Sequence, residues 1–355
     1  MRAISAVDSI SPAIQRTRDF LFRPFTWGTY LKLGLVAIIT EGSGSNFHSS
    51  SNGGSGHGSM GHGGMNLAPF NHPEQLIAAG VAALLLVLVV GMFIAYLVTR
   101  LRFAYFHCLT QNEKLIRPGW HLYREPAGRF FWLNVVVGFC FLLVAGLIAL
   151  PFISGFVRLF HESQQHNSFD WSLLLSLVLP LIPILILLAL AGVATDVILR
   201  DFMLPHYALD NATAGEAWSR VYAHIRVEKR QFAAYALLRV ILPTIATIVL
   251  TMVLVIPGLV LAGALAMVEW GLHSYFADAT GSAVAVGVML QVFFGLVAAG
   301  FGLLAMVCLG GPLSTAFREY ALVFYGGRYA ALGEILDITA APVPLPPMSG
   351  AQGLV

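Results

Sequence analysis

Residues 76–99 read LIAAGVAALLLVLVVGMFIAYLVT, an apolar run with no charged side chain. Crossing about 30 Å of bilayer hydrocarbon takes on the order of 20 such residues in a helix, so this stretch predicts a membrane span. Four further runs meet the same condition, at 131–157, 171–199, 240–268 and 283–309. A sixth, 25–40, is shorter and contains Lys32. It spans if Lys32 snorkels to the near interface and Trp27 and Tyr30 sit at headgroup level. The alternative for it is a re-entrant or interfacial helix. The whole chain agrees with these runs: 57% of its residues are apolar and 11% charged, against roughly 45–50% and 25% in soluble domains. The expected fold is all-α, a polytopic transmembrane helix bundle of about six spans, with residues 1–335 as one integral membrane domain.

The basic residues set the expected orientation. Of 20 Lys and Arg, 19 fall in the N-terminal segment, the connections 100–130 and 200–239, and the C-terminal tail. Only Arg158 belongs to the other set of loops. The positive-inside rule then makes both termini cytoplasmic and turns the loops near 41–75, 158–170 and 269–282 outward. Loop 41–75 is Gly/Ser/His-rich and expected to be flexible, and the tail 340–355 is Pro-rich and expected to be disordered. No signal-peptide core precedes the first apolar run. Cys108, Cys140 and Cys308 lie far apart in or beside apolar stretches and read as reduced packing residues.

Two cytoplasmic stretches carry amphipathic helix patterns. In the first, Ser11 can cap a helix with Pro12 at its first position, and Ile10, Ile14, Thr17 and Leu21 share a face. In the second, Thr213 and Glu216 have capping-box spacing, and Trp218, Val221, Tyr222 and Ile225 form one apolar stripe. Arg220, Arg226, Lys229 and Arg230 fall mainly outside that stripe, placed with Trp218 for the membrane interface and its anionic lipids. The same pattern also suits a cap docked on the span ends.

The connections 100–130 and 200–239 look like variants of one design: a basic exit from a span, an aromatic turn, a Trp-led helix and a basic-aromatic return. The segment GGPLSTAFREYALVFYGGRY repeats that style after the last span. The signature Arg200, Asp201, Phe202, Met203, Leu204, Pro205, followed by Glu216, Ala217, Trp218 and Phe232, resembles an uncharacterised bacterial family of six-span proteins. That family is similar to the membrane domain of glycerophosphodiester phosphodiesterases and to YciC-type inner-membrane proteins. Phe317, Arg318, Glu319, Tyr320 with Gly326 and Gly327 extend the likeness over most of 1–335. The resemblance implies a six-helix bundle in a bacterial inner membrane and supplies no catalytic site.

Other motifs weigh against chemistry. GHGSMG at 56–61 spells GxGxxG, but no strand precedes it and no amphipathic helix follows, so it does not read as a dinucleotide site. His57 and His62, with Met60 between them, are weak metal candidates in a loop without thiolates. No GxSxG, HExxH or Walker A sequence occurs. No charged residue sits near a span centre, which argues against a proton path. A net charge of +2, spread in blocks, argues against nucleic acid. Pro180, Pro183, Pro243 and Pro257 interrupt spans four and five, and the pairs Gly295/Ala299 and Ala298/Gly302 suit close packing inside the bundle or at a dimer seam. The reading is a non-enzymatic accessory, scaffold or assembly component without cofactor. Its expected partners are anionic lipids and a second copy or another membrane protein. A small-solute or lipid transporter using spans four and five is the alternative.

Overall fold

The computed structural model describes residues 4–45, 73–166, 171–276 and 282–338, and every regular element among them is helical. In chain order these are α1 (Ile10–Phe22), α2 (Trp27–Ser45), α3 (Pro73–Gln111), α4 (Ile116–Leu122), α5 (Arg124–His166) and α6 (Trp171–Val197). A π turn (Ile198–Met203) leads to α7 (Leu204–Leu209), then α8 (Ala214–Val227), α9 (Lys229–Phe276), α10 (Ser282–Gly326) and α11 (Ala330–Ile335). Five of them, α3, α5, α6 with its continuation, α9 and α10, are long and apolar enough to cross a membrane. The protein is an all-α, polytopic helix bundle, as expected. Loop residues 46–72, with His57 and His62, and the tail from 339 lie outside the described residues.

The helices outrun the spans. α9 has 48 residues and α10 has 45, roughly 70 Å at 1.5 Å per residue, more than twice the hydrocarbon thickness. The surplus lies at their basic ends, and there the side chains pack. In the most apolar windows, none of α3, α5, α6 or α9 is buried and only 6% of α10 is. These faces are apolar and open, the condition of a surface solvated by lipid or covered by a partner.

Two compact units divide the chain, Met1–Ser43 with Cys108–Lys114 and Ile225–Val355, and Gly44–His107 with Leu115–His224. In the first, Tyr320, Phe324 and Tyr325 of α10 are buried, and Tyr235 of α9 stacks on Phe324 at 4.4 Å and on Tyr320 at 5.1 Å. Each such ring contributes roughly 1.5–3 kcal/mol by leaving water. α1 packs on α10 through Ala13, Thr17, Phe20 and Leu21. The buried face is therefore turned from the expected one: Thr17 and Leu21 are inside, but Ile14 stays out. Periodicity identified an apolar stripe, and the side chains that α10 could accommodate chose its edge. α1 also starts two residues earlier than expected, after Ser9, whose hydroxyl donates to the Ser5 carbonyl at 2.8 Å instead of capping.

α2 lies along the C-terminal half of α10. Tyr30 Oη donates to the Cys308 carbonyl at 2.6 Å, Gly34 touches Gly311, and Glu41 lies 3.9 Å from Arg318. Each partner is 277 or 278 positions further along, and a constant offset means the two helices run in the same direction. A first span leading outward and a last span leading inward would instead be antiparallel. Glu41, expected at an outer end, thus keeps company with Arg239 and Arg318 of the basic ends. Its carboxylate, in a stretch followed by Gly42 and Gly44, finds better company beside those guanidiniums than in lipid.

In the second unit, Phe130 of α5 meets Phe103 of α3 at 5.6 Å and Tyr207 of α7 at 5.3 Å, both edge-on. The π turn precedes Pro205, which lacks an N–H for the Asp201 carbonyl, so a wider turn there forfeits little.

α8 begins with the capping box read from the sequence: Thr213 N–H donates to Glu216 Oε2 at 2.9 Å, and Glu216 N–H reaches back to Thr213 Oγ1. These bonds hold the exposed Glu216 carboxyl below the usual carboxylate range, the Thr213 backbone bond being the largest cause. A depressed carboxylate stabilises the helix above the unfolded Glu range and stops doing so as pH falls through the lowered value. Amide-exchange protection of the first turn of α8 should accordingly fall on acidification below the ordinary Glu range. Glu216→Gln, which can still accept the bond, should remove that step; an unchanged acid step in the variant would rule out the box as its origin.

Candidate functional site

The sites that charge and burial single out are the basic ends of the long helices. In the first unit, Arg16 Nε pairs with Glu319 Oε2 at 3.0 Å, and its Nη1 donates to the Leu336 carbonyl at 3.1 Å. Glu319 is 1% exposed. Arg239 Nη2 pairs with Glu41 at 2.9 Å, and its Nη1 donates to the Phe317 carbonyl. Buried charges are costly unless matched, and each match here ties distant parts of the chain together.

Arg328 is the most committed of these cations. Its Nε and Nη2 both reach Glu228 Oε2, at 2.9 and 2.7 Å, and its Nη1 donates to the carbonyls of Ile4 and Phe324. Its guanidinium also lies 4.0 Å from the Phe324 ring centroid. The group is rigid, and it spends the charge of Glu228.

In the second unit, Arg200 and Asp201 are buried at the π turn, and Arg200 Nη1 pairs with Asp196 at 3.0 Å. His206 Nδ1 lies 3.2 Å from Asp210 Oδ2, which also receives Arg220. Arg129 donates to the Asn211 side chain, and Asn211 itself has φ of 51°, a left-handed conformation that Asn tolerates. Arg100 donates to the Trp120 carbonyl at 2.8 Å with its guanidinium 4.4 Å over the Trp120 ring. Burial pushes the nearby Tyr123 phenol up.

Between α8 and α9 opens a cleft of about 610 Å³. Arg226, Lys229 and Arg230 line it with Arg328 and its partner Glu228, and with Ser5, Val227 and Gln231. The Gln231 carbonyl oxygen accepts the Ala6 N–H, which brings the start of the chain to its wall. Among the described residues, no carboxylate pairs with Arg226, Lys229 or Arg230.

The expected interface residues therefore divide. Trp218 is half exposed, its ring stacked with exposed Tyr222 at 6.4 Å, whereas Ala217 and Val221 carry the buried face of α8. Arg220 serves the Asp210 pair, and Arg226, Lys229 and Arg230 converge on the cleft. No group of three His, Cys, Asp or Glu side chains sits as metal ligands would among the described residues. Cys108 is buried, but Cys140 is exposed on its span, so it is no packing residue. Gly295 and Gly302 also face open space and are not packed inside the bundle.

Sequence reasoning missed the ion pairs. A signal was present: Arg200-Asp201-Phe202 and Arg318-Glu319-Tyr320 are the same basic-acidic-aromatic triplet, each following a long apolar run. An acid placed beside an arginine and followed by buried aromatics needs a partner inside. No curated protein and no solved structure matches the chain. A family of unknown function, DUF7544, matches residues 4–335, nearly the whole described chain. The long apolar helices and the packed basic ends that they carry are thus features of a member of the DUF7544 family.

Proposed function

We propose that this integral membrane protein is a non-enzymatic scaffold or assembly component, held in a bacterial inner membrane with both termini in the cytoplasm. The observation that carries the reading is where the packing lies. Buried Glu319 and largely buried Glu41 are matched by arginines at the basic ends, and the apolar spans offer their side chains outward, as a framework for lipid, a second copy or another membrane protein would. The resemblance of the Arg200–Pro205 signature to an uncharacterised bacterial family of six-span proteins supports the inner-membrane setting. Exposed Trp218 and Tyr222, with the unpaired cations at the α8–α9 junction, support contact with an anionic leaflet.

The transporter reading draws no support from the prolines. α6 and α9 continue as helices through them, and Pro180, Pro183 and Pro257 are exposed on the helix surfaces. A transport path would line an interior cavity with such breaks. Single cysteines placed along 176–190 and 245–258, with Cys108, Cys140 and Cys308 replaced, test the difference. None of these positions should react with a membrane-impermeant thiol reagent. A mid-span stripe reacting at every third or fourth residue would replace the scaffold with a solute path.

A further inference from the structure

The cleft at the α8–α9 junction is electrostatically unfinished. Arg226, Lys229 and Arg230 bring three positive charges to one wall, and Arg328 adds a fourth that Glu228 already neutralises. Two of the three, Lys229 and Arg230, stand in the first turn of α9, which holds no acidic residue. The amino end of a helix carries a partial positive charge of its own and favours anions, so cations there are in the wrong place by local rules. The carboxylate in the cleft wall, Glu228, is already taken by Arg328, so the three like charges left against a helix dipole mark a position whose favourable state includes something absent from the chain itself.

We propose that this cleft binds a phosphate group. The requirements are met in kind: Arg226 and Arg230 offer planar forks suited to tetrahedral oxyanions, and Lys229 offers a mobile point charge. Ser5 adds a hydroxyl at the wall, where it already bonds Asp8 at 2.7 Å. Arg328, fixed by Glu228, the Ile4 and Phe324 carbonyls and the Phe324 ring, is the rigid floor, so binding need not order it. The cleft's volume exceeds one phosphate and leaves room for the group that the phosphate is attached to. That phosphate could belong to a lipid headgroup or to a soluble phosphate ester; the shared chemistry is the oxyanion. The inference deepens the anionic-surface part of the proposed function, but it differs from it in requiring a saturable site.

The test uses the full chain in phosphatidylcholine nanodiscs. In one arm, inorganic phosphate and glycerol 3-phosphate are titrated and followed by calorimetry and ³¹P NMR. In the other, the nanodiscs contain a minor fraction of phosphatidic acid or phosphatidylglycerol, and bound lipid is counted by native mass spectrometry. Saturable binding is expected in at least one arm, weakened at least about tenfold in the triple variant R226Q/K229Q/R230Q. The triple variant R18Q/R117Q/R124Q removes the same charge from exposed positions elsewhere and should retain the affinity. Binding in the soluble arm assigns a phosphate ester; binding in the lipid arm that soluble phosphate displaces assigns a headgroup. Equal weakening in both triples would leave a diffuse anionic-surface effect and overturn the site, and absence of saturable binding in both arms would overturn it outright. Wild-type elution on gel filtration, expected because all six residues are exposed, separates loss of binding from loss of fold.

Discussion

Replacing Arg239 by methionine is expected to lower stability by about 3 kcal/mol or more, because it takes a matched cation from a largely buried carboxylate. Glu41 is 9% exposed and Arg239 12%, with Nη2 and Oε2 2.9 Å apart. After the substitution, Arg318 remains as a cation 3.9 Å from Glu41. The Phe317 carbonyl also loses the Nη1 donor. The pair bridges α2 and α9, whose pairing residues are 198 positions apart, so its loss should loosen α2 as well as cost stability. Thermal unfolding in mild detergent, followed by gel filtration of the surviving fraction, measures the loss. The double variant R239M/E41M should recover most of it, since replacing both ions with apolar groups removes the stranded charge. Equal losses in the single and double variants would show that packing, and not the ion pair, sets the energetics there.

Gly311→Ala is expected to have the second-largest effect. A Cβ added at Gly311 would lie 2.7 Å from Gly34 Cα and 3.3 Å from its carbonyl carbon. These are backbone atoms, with no rotamer through which to escape, so α2 and α10 must separate. Overpacking of this kind costs about 1–3 kcal/mol. Separation would also stretch the 2.6 Å bond from Tyr30 to the Cys308 carbonyl and pull Glu41 from Arg239. Gly295→Ala on the same helix meets nothing within 4 Å and should be close to neutral. Comparing the two melts isolates the contact from the helix propensity that alanine adds in both. If Gly295→Ala proves as damaging as Gly311→Ala, close approach is not why Gly311 is there.

The membrane-crossing helices were legible because hydropathy is a property of a local run. The run 76–99 stays apolar whichever helix lies beside it, and the α3 that contains it extends from Pro73 to Gln111. The Thr213–Glu216 box was legible for the same reason, since both partners sit within one turn. The direction of α2 was not. Residues 25–40 are apolar enough to suggest a span, and nothing in their spacing reveals that Gly34 will meet Gly311 or that Glu41 will meet Arg239.

Local chemistry thus determined, from sequence alone, that the chain is helical, that five stretches suit lipid, and where its cations gather. Tertiary structure alone decided which face of α1 is buried, that Thr17 goes inside while Ile14 stays out, and that Arg16 closes on Glu319 across 303 positions. It also decided that Arg226, Lys229 and Arg230 share a wall with Ser5 and Arg328. The physical reason is the range of the forces involved. Transfer to lipid and helix capping act within a segment, whereas a buried ion pair or a glycine contact gains its energy only from a partner that folding must first bring near.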